Sequence, residues 1–215
     1  DLDGSLLNRD SFKFDEIKNF LKDLVSKGIF IIPNSSKTEN EIIDFNQELD
    51  ESLTYISENG SVINGLDLLN VNFPDKIVLS REKSEIQEIF ESKISQNLRD
   101  KCKFITKMEK KKQIEILGLS NDKLKNALNR KYSIPFLFDG NKNERDRLNK
   151  SITKNSLSLQ EGGRVINLCD KVNKVRSMKR VIKIFKKIEK NIKVIAVGDN
   201  YNDLEMLKNS DVPCL

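Results

Sequence analysis

Two carboxylates one residue apart and followed by glycine, Asp1-Leu2-Asp3-Gly4, are the residues of this chain best suited to chemistry. In an extended strand the side chains at i and i+2 leave on the same face, so Asp1 and Asp3 can be aimed at one point beyond a strand end. Gly4 has no Cβ and lets the backbone turn sharply away. Taken alone, the quartet is also what an ordinary acidic turn looks like. Three further polar clusters change its weight: Ser35 and Ser36, Lys174, and Asp199 with Asp203. An aspartate, with an ordinary pKa of about 3.9, is ionised at neutral pH and can act as a nucleophile without an activating base. A lysine and a hydroxyl can hold the oxygens of an anionic phosphoryl group, and several carboxylates can hold a hard cation. Together these groups meet the needs of phosphate-ester hydrolysis. Asp1 attacks phosphorus, while Asp3 protonates the departing oxygen and later deprotonates the water. Lys174 and Ser35, with Ser36 as the second choice, grip phosphoryl oxygens. Mg2+ on Asp1, Asp199, Asp203 and the backbone carbonyl of Asp3 offsets the repulsion between carboxylate and phosphate.

What the chain lacks is equally informative. It has 215 residues and no histidine, so Ser-His-Asp and Cys-His hydrolysis, histidine-phosphate intermediates and His-ligated zinc are excluded. Cys102, Cys169 and Cys214 are far apart and odd in number, which gives neither a zinc spacing nor a disulfide framework and fits a reducing cytoplasm. No apolar run approaches the roughly 20 residues of a membrane span. The net charge of +5 comes from 38 basic residues spread among 33 acidic ones. Clusters such as Lys110 to Lys112 read as solvated surface, so no nucleic-acid partner is expected, and a mild positive field suits a small anionic substrate.

The elements that must carry these residues follow from periodicity. Phe14, Ile17, Leu21 and Leu24 mark a helix ending near Gly28. The continuous apolar run Ile29 to Ile32 predicts a parallel strand covered on both faces, delivering Asn34 to Thr38 to its carboxyl end. A helix from about Thr38 to Leu49, a strand Leu53 to Ser57 and a hairpin through Val62 follow. The middle differs: alternating strands around Ile134 to Phe138 and Leu157 to Leu159 predict an antiparallel α+β insert over residues 74–168. The first texture returns in a helix from Lys174 through Phe185 and a strand Ile192 to Val197 ending at Asp199. The fold class is therefore α/β, a Rossmann-like doubly wound parallel sheet over 1–73 and 169–215 interrupted by a smaller insert. A short strand is expected directly upstream of Asp1, and Ser210 to Leu215 reads as leading into another.

Each cluster has a plainer explanation as well. Lys174 could be one more exposed helix lysine, and Ser35 and Ser36 could be helix caps. Asp199 and Asp203 could suggest a calcium loop, but Leu204 stands where that loop needs glycine. As a set, however, D-L-D-G-S-L-L, the serine-lysine stretch, a lysine opening a late helix and G-D-N-Y-N-D resemble the haloacid dehalogenase superfamily over essentially the whole chain. N-S-S-K-T (34–38), I-S-E-N-G (56–60), E-G-G-R (161–164) and G-D-N-Y-N-D (198–203) resemble, more finely, its mannosyl-3-phosphoglycerate phosphatases. The resemblance implies a Rossmann-like core with an α/β cap and Mg2+-dependent dephosphorylation. It makes Asp1 the nucleophile, Asp3 the acid/base, Ser35 the phosphate hydroxyl, Lys174 the phosphate lysine, and Asp199 and Asp203 metal-site residues. Ser5 replaces the usual threonine, and the stretch before Lys174 lacks the frequent D-K-G, which leaves Lys171 as a rival. A phosphoglycerate substrate also carries a carboxylate, for which Arg164 is the leading candidate and Lys37, Thr38 and Asn59 weaker ones. The expected protein is a cytoplasmic phosphatase, a monomer or weak homodimer, acting on a small phosphorylated sugar. The alternatives are another sugar phosphatase or phosphosugar mutase, or an idle binding or regulatory protein on the same fold.

Overall fold

A computed structural model describes residues 1–215. The chain divides into two compact units, Asp1–Leu79 with Asn173–Leu215, and Ser80–Val172.

In the first unit, the helix Asp15–Ser26 opens with Asp15 and Glu16, whose charge suits the positive end of the helix dipole, and buries Leu21. The helix Glu39–Leu49 begins on a capping box: Glu41 N donates to Thr38 Oγ1 (3.2 Å) and Thr38 N to Glu41 Oε2 (2.9 Å). Both helices pack on a core of Leu2, Phe14, Ile42, Phe45, Leu49 and Tyr55. The helix Lys174–Phe185 is capped by Asn173, which accepts from Arg176 N, and puts Val181 and Ile184 against Ile56 and Ile63. Parallel pairing, the mark of a doubly wound sheet, joins Ile195–Val197 to Val212–Cys214 and Asn34 to Ile56. Asp1 N donates to the Val197 carbonyl (2.6 Å), setting the opening residues beside the strand Ile195–Val197 that leads into Asp199.

The expected strand Ile29 to Ile32 is not hydrogen-bonded as one. Its ladder begins only at Pro33, whose carbonyl accepts from Ile56 N (2.7 Å). Ile29 and Phe30 are about half exposed, as is Ile195, and they line a cavity of about 360 Å³ with Ile32, Met178 and Val197.

In the second unit, a four-stranded antiparallel sheet runs in the order Cys102–Phe104, Ser133–Phe138, Ile166–Asp170, Leu157–Glu161. It packs through Phe136, Leu168 and Leu157 on Ile86, Phe90, Leu148 and Ile152 of the helices Lys83–Lys93 and Lys142–Lys154. Arg81 and Asp170, near the unit's two ends, are tied together. Arg81 Nη2 lies 2.6 Å from Asp170 Oδ1, and Arg81 Nε and N donate to Oδ2 at 3.1 and 2.9 Å. The boundaries expected at 74 and 168 move for a physical reason. Lys76–Val78 pairs with Val62–Asn64 and so stays with the first unit, while Ile166–Asp170 is an interior strand of the second sheet. No helix is long and apolar enough to cross a membrane.

Candidate active site

Four segments distant in sequence converge in the first unit. Lys174 is 2% exposed, and its Nζ lies 2.8 Å from Asp1 Oδ1 and 2.8 Å from Asp203 Oδ1. Burial pulls the Lys174 ammonium below its ordinary value, and the carboxylates of Asp203, Asp3 and Asp199 oppose that pull. The second oxygen of Asp203 accepts from Asn200 N (3.3 Å), so this fully buried carboxylate is held from both sides. Asp1 Oδ1 also accepts from Leu2 N (2.7 Å), which fixes its rotamer.

Carboxylate oxygens of Asp1, Asp199 and Asp203 all lie within 4.8 Å of one another. Gly4, at φ +78°, makes room for this arrangement: a Cβ there would fall 2.1 Å from Asp199 Oδ2. At the cation-binding group itself, the three carboxylates Asp1, Asp199 and Asp203 face the single Lys174 ammonium, which leaves two negative charges. An all-oxygen donor set with that surplus fits a hard divalent cation.

The segment Asn34 to Thr38, joined to the cluster through Asn34 Nδ2 on the Lys174 carbonyl and Lys37 on Asp3, packs together with the loop Ser57 to Gly60. Ser35 is fully buried, and its hydroxyl accepts from Lys37 N (3.3 Å). The loop grips this segment through Asn59 N to Ser35 O and Glu58 N to Lys37 O, both 2.9 Å. Glu58 and Asn59 stand in succession at φ +46° and +59°, an arrangement that ordinary side chains rarely adopt and that marks functional sites. Gly60 then approaches so closely that a Cβ would sit 2.4 Å from the Asn173 carbonyl, at the start of the lysine helix.

Residues 1–214 match the family profile of the haloacid dehalogenase-like hydrolases. The chain belongs to that family. It is 28% identical to a glucosyl-3-phosphoglycerate/mannosyl-3-phosphoglycerate phosphatase of Persephonella marina, covering 100% of this chain and 82% of the relative. A mannosyl-3-phosphoglycerate phosphatase of Pyrococcus horikoshii is 27% identical, over 98% of this chain and 86% of its own. A haloacid dehalogenase-like hydrolase from Bacteroides thetaiotaomicron superposes with a TM-score of 0.66 at 15% identity, covering 99% of this chain and 84% of that one, which speaks for the fold.

In this haloacid dehalogenase-like hydrolase the structure brings Asp1, Lys174, Asp199 and Asp203 together, with Asp3 and Ser35 at the ends of the same converging segments. Lys174 rather than Lys171 reaches Asp1; Lys171 belongs to the second unit and is exposed. Two expected substrate contacts have other work. Thr38 caps the helix Glu39–Leu49. Arg164 is exposed in the second unit, where Nη1 donates to the Leu117 carbonyl at the end of the helix Lys110–Leu117, lying over Gly118. Lys37 pairs with Asp3 (3.0 Å). Asn59 keeps a buried Oδ1 without a hydrogen-bond partner.

Sequence reasoning passed over Asn34. Its Nδ2 donates to the Lys174 carbonyl (3.0 Å), joining the serine segment to the lysine helix; the signal was its place at the head of N-S-S-K-T. The Gly4 contact yields a direct expectation. Gly4→Ala should lower stability by about 1–2 kcal/mol from the left-handed backbone alone and displace Asp199. Denaturant unfolding and calorimetric titration with Mg2+ check the two effects separately.

Proposed function

We propose that this chain is a divalent-metal-dependent phosphatase that cleaves the phosphate monoester of a glycosyl-phosphoglycerate, with mannosyl-3-phosphoglycerate the foremost substrate, through an aspartyl-phosphate on Asp1. The observation that carries this reading is the buried Lys174 ammonium held 2.8 Å from Asp1, beside the Asp199 and Asp203 carboxylates. The two phosphoglycerate phosphatases it resembles over nearly its whole length support the substrate class.

In this reading an Asp1 carboxylate oxygen attacks phosphorus in line, forming an acyl-phosphate bond as the ester oxygen departs. Asp3 gives that oxygen its proton, so glycosyl-glycerate leaves as a neutral alcohol at its reacting end. Asp3 then takes a proton from water, whose oxygen attacks phosphorus and frees inorganic phosphate and Asp1. Lys174 and the Ser35 hydroxyl hold phosphoryl oxygens, and Asp203 holds Lys174. Mg2+ on Asp1, Asp199 and the Asp3 carbonyl, bordered by Asp203, would offset the charge of a dianionic phosphate approaching a carboxylate. Asn59 Oδ1, a buried acceptor, suits a substrate hydroxyl.

Phosphate release from mannosyl- and glucosyl-3-phosphoglycerate and from hexose mono- and bisphosphates, with Mg2+ and with a chelator, tests the reading. The phosphoglycerates should be turned over with the highest kcat/KM, and chelation should remove activity that Mg2+ restores. Preference for a hexose phosphate would overturn the substrate, and phosphoryl transfer between two hydroxyls of one sugar would point to a mutase.

A further inference from the structure

Lys37 sits in an enclosure that neither its sequence context nor a substrate-binding role explains. It is 9% exposed, with Nζ 3.0 Å from Asp3 Oδ1, 3.6 Å from Glu41 Oε1 and 4.8 Å from the centroid of the Phe12 ring. Glu41 is a fixed wall, because its other oxygen accepts from Thr38 N in the capping box. Phe12 is fixed too. Its N donates to the Asn8 carbonyl (2.9 Å) while Asn8 N donates to Lys13 O (2.9 Å), closing a tight loop directly after the Asp1-Asp3 segment.

Phe12 stands at φ +58°, a conformation that costs energy for any residue with a Cβ, and more for a bulky one. A phenylalanine kept there at a cost, with its ring over a buried ammonium, signals a constraint beyond packing. Of the three groups around the ammonium, Asp3 is the nearest, with Glu41 and the Phe12 ring bordering it.

We infer that Phe12 and Glu41 clamp Lys37 onto Asp3, so that Lys37 is a positioning residue for the acid–base carboxylate and Phe12 is the residue that keeps it there. The inference rests on the proposed role of Asp3. Held in one rotamer, the carboxyl presents its proton to the departing oxygen and later meets the water from the same place.

The test uses Lys37→Gln and Phe12→Leu, with Phe12→Trp as the variant that keeps an aromatic face. A substrate with an alkyl leaving group needs its oxygen protonated, whereas p-nitrophenolate leaves without help. Lys37→Gln should slow single-turnover release of the alcohol from a sugar phosphate by about 10- to 100-fold, a part of what general acid catalysis supplies. Phe12→Leu should slow it about 10-fold at most, in keeping with a cation–π contact. The single-turnover burst of p-nitrophenolate should stay within about 3-fold of native for both, and Phe12→Trp should recover most of the loss. In metal-free protein labelled with 15N-lysine, the Lys37 side-chain signals, assigned through their loss in Lys37→Gln, should show an aromatic ring-current shift that vanishes in Phe12→Leu. Equal losses on both substrates, or a Lys37 resonance unmoved by Phe12→Leu, would overturn the clamp while leaving the phosphatase reading intact. A native chain that releases phosphate from no ester would instead overturn that reading, and the catalytic role of the clamp with it.

Discussion

Asp1→Asn is expected to lower phosphatase turnover by about 10⁴-fold or more, the scale on which a lost nucleophile acts, with only a small effect on folding. The amide keeps the size of the carboxylate, and its oxygen can still accept from Leu2 N, as Asp1 Oδ1 does at 2.7 Å. Lys174 retains Asp203 at 2.8 Å, so its charge stays compensated. What disappears is the anionic oxygen that would bond to phosphorus. In the native chain, acid quenching during turnover should trap one protein-bound phosphate per active site, and mapping should place it on Asp1; Asp1→Asn should trap none. A variant with near-native turnover would remove Asp1 from the chemistry and return the segment to an ordinary acidic turn.

Lys174→Met separates the electrostatic role of the lysine from its length. With the ammonium gone, the fully buried Asp203 and the nearly buried Asp1 face each other without a cation. Breaking a buried ion pair by removing one partner costs about 3–5 kcal/mol, which for a chain of this size is a melting temperature lowered by roughly 6–20 °C. The loss should be largest in chelator and partly recovered by Mg2+, since a bound cation replaces some of the missing charge. Activity should fall about 10²- to 10³-fold and stay low even at saturating Mg2+, because a metal ion cannot replace an ammonium on the phosphoryl oxygens. Thermal unfolding and kinetics across a Mg2+ series read both effects. Unchanged stability in chelator would mean that Lys174 does not balance these carboxylates.

The residues that meet at this site were easier to foresee than the framework that carries them. Asp1, Asp3, Ser35, Lys174, Asp199 and Asp203 could be picked out because each falls at a strand end or helix start and because, without histidine, only a few groups could share the work. Thr38 was a weaker candidate for the substrate carboxylate, although its spacing to Glu41 three residues on is that of the helix cap it forms. Partners set by long-range contacts were out of reach. Lys76–Val78 resembles the first strand of an insert until its pairing with Val62–Asn64 is seen. Ile29 to Ile32 has the composition of a buried strand, but composition cannot say whether a neighbouring backbone lies within hydrogen-bonding reach. Phe12 was passed over because one aromatic in a polar loop shows no period, and its value lies in a backbone angle and a ring position that only folding defines.

The tie between Arg81 and Asp170 has an evolutionary consequence. Because it fastens together the points where the chain enters and leaves the second unit, that unit is spliced into the first as a cassette with neighbouring ends. The residues from 80 to 172 can therefore drift, lengthen or be exchanged among lineages while the segments bearing Asp1, Ser35, Lys174 and Asp199 keep their mutual spacing.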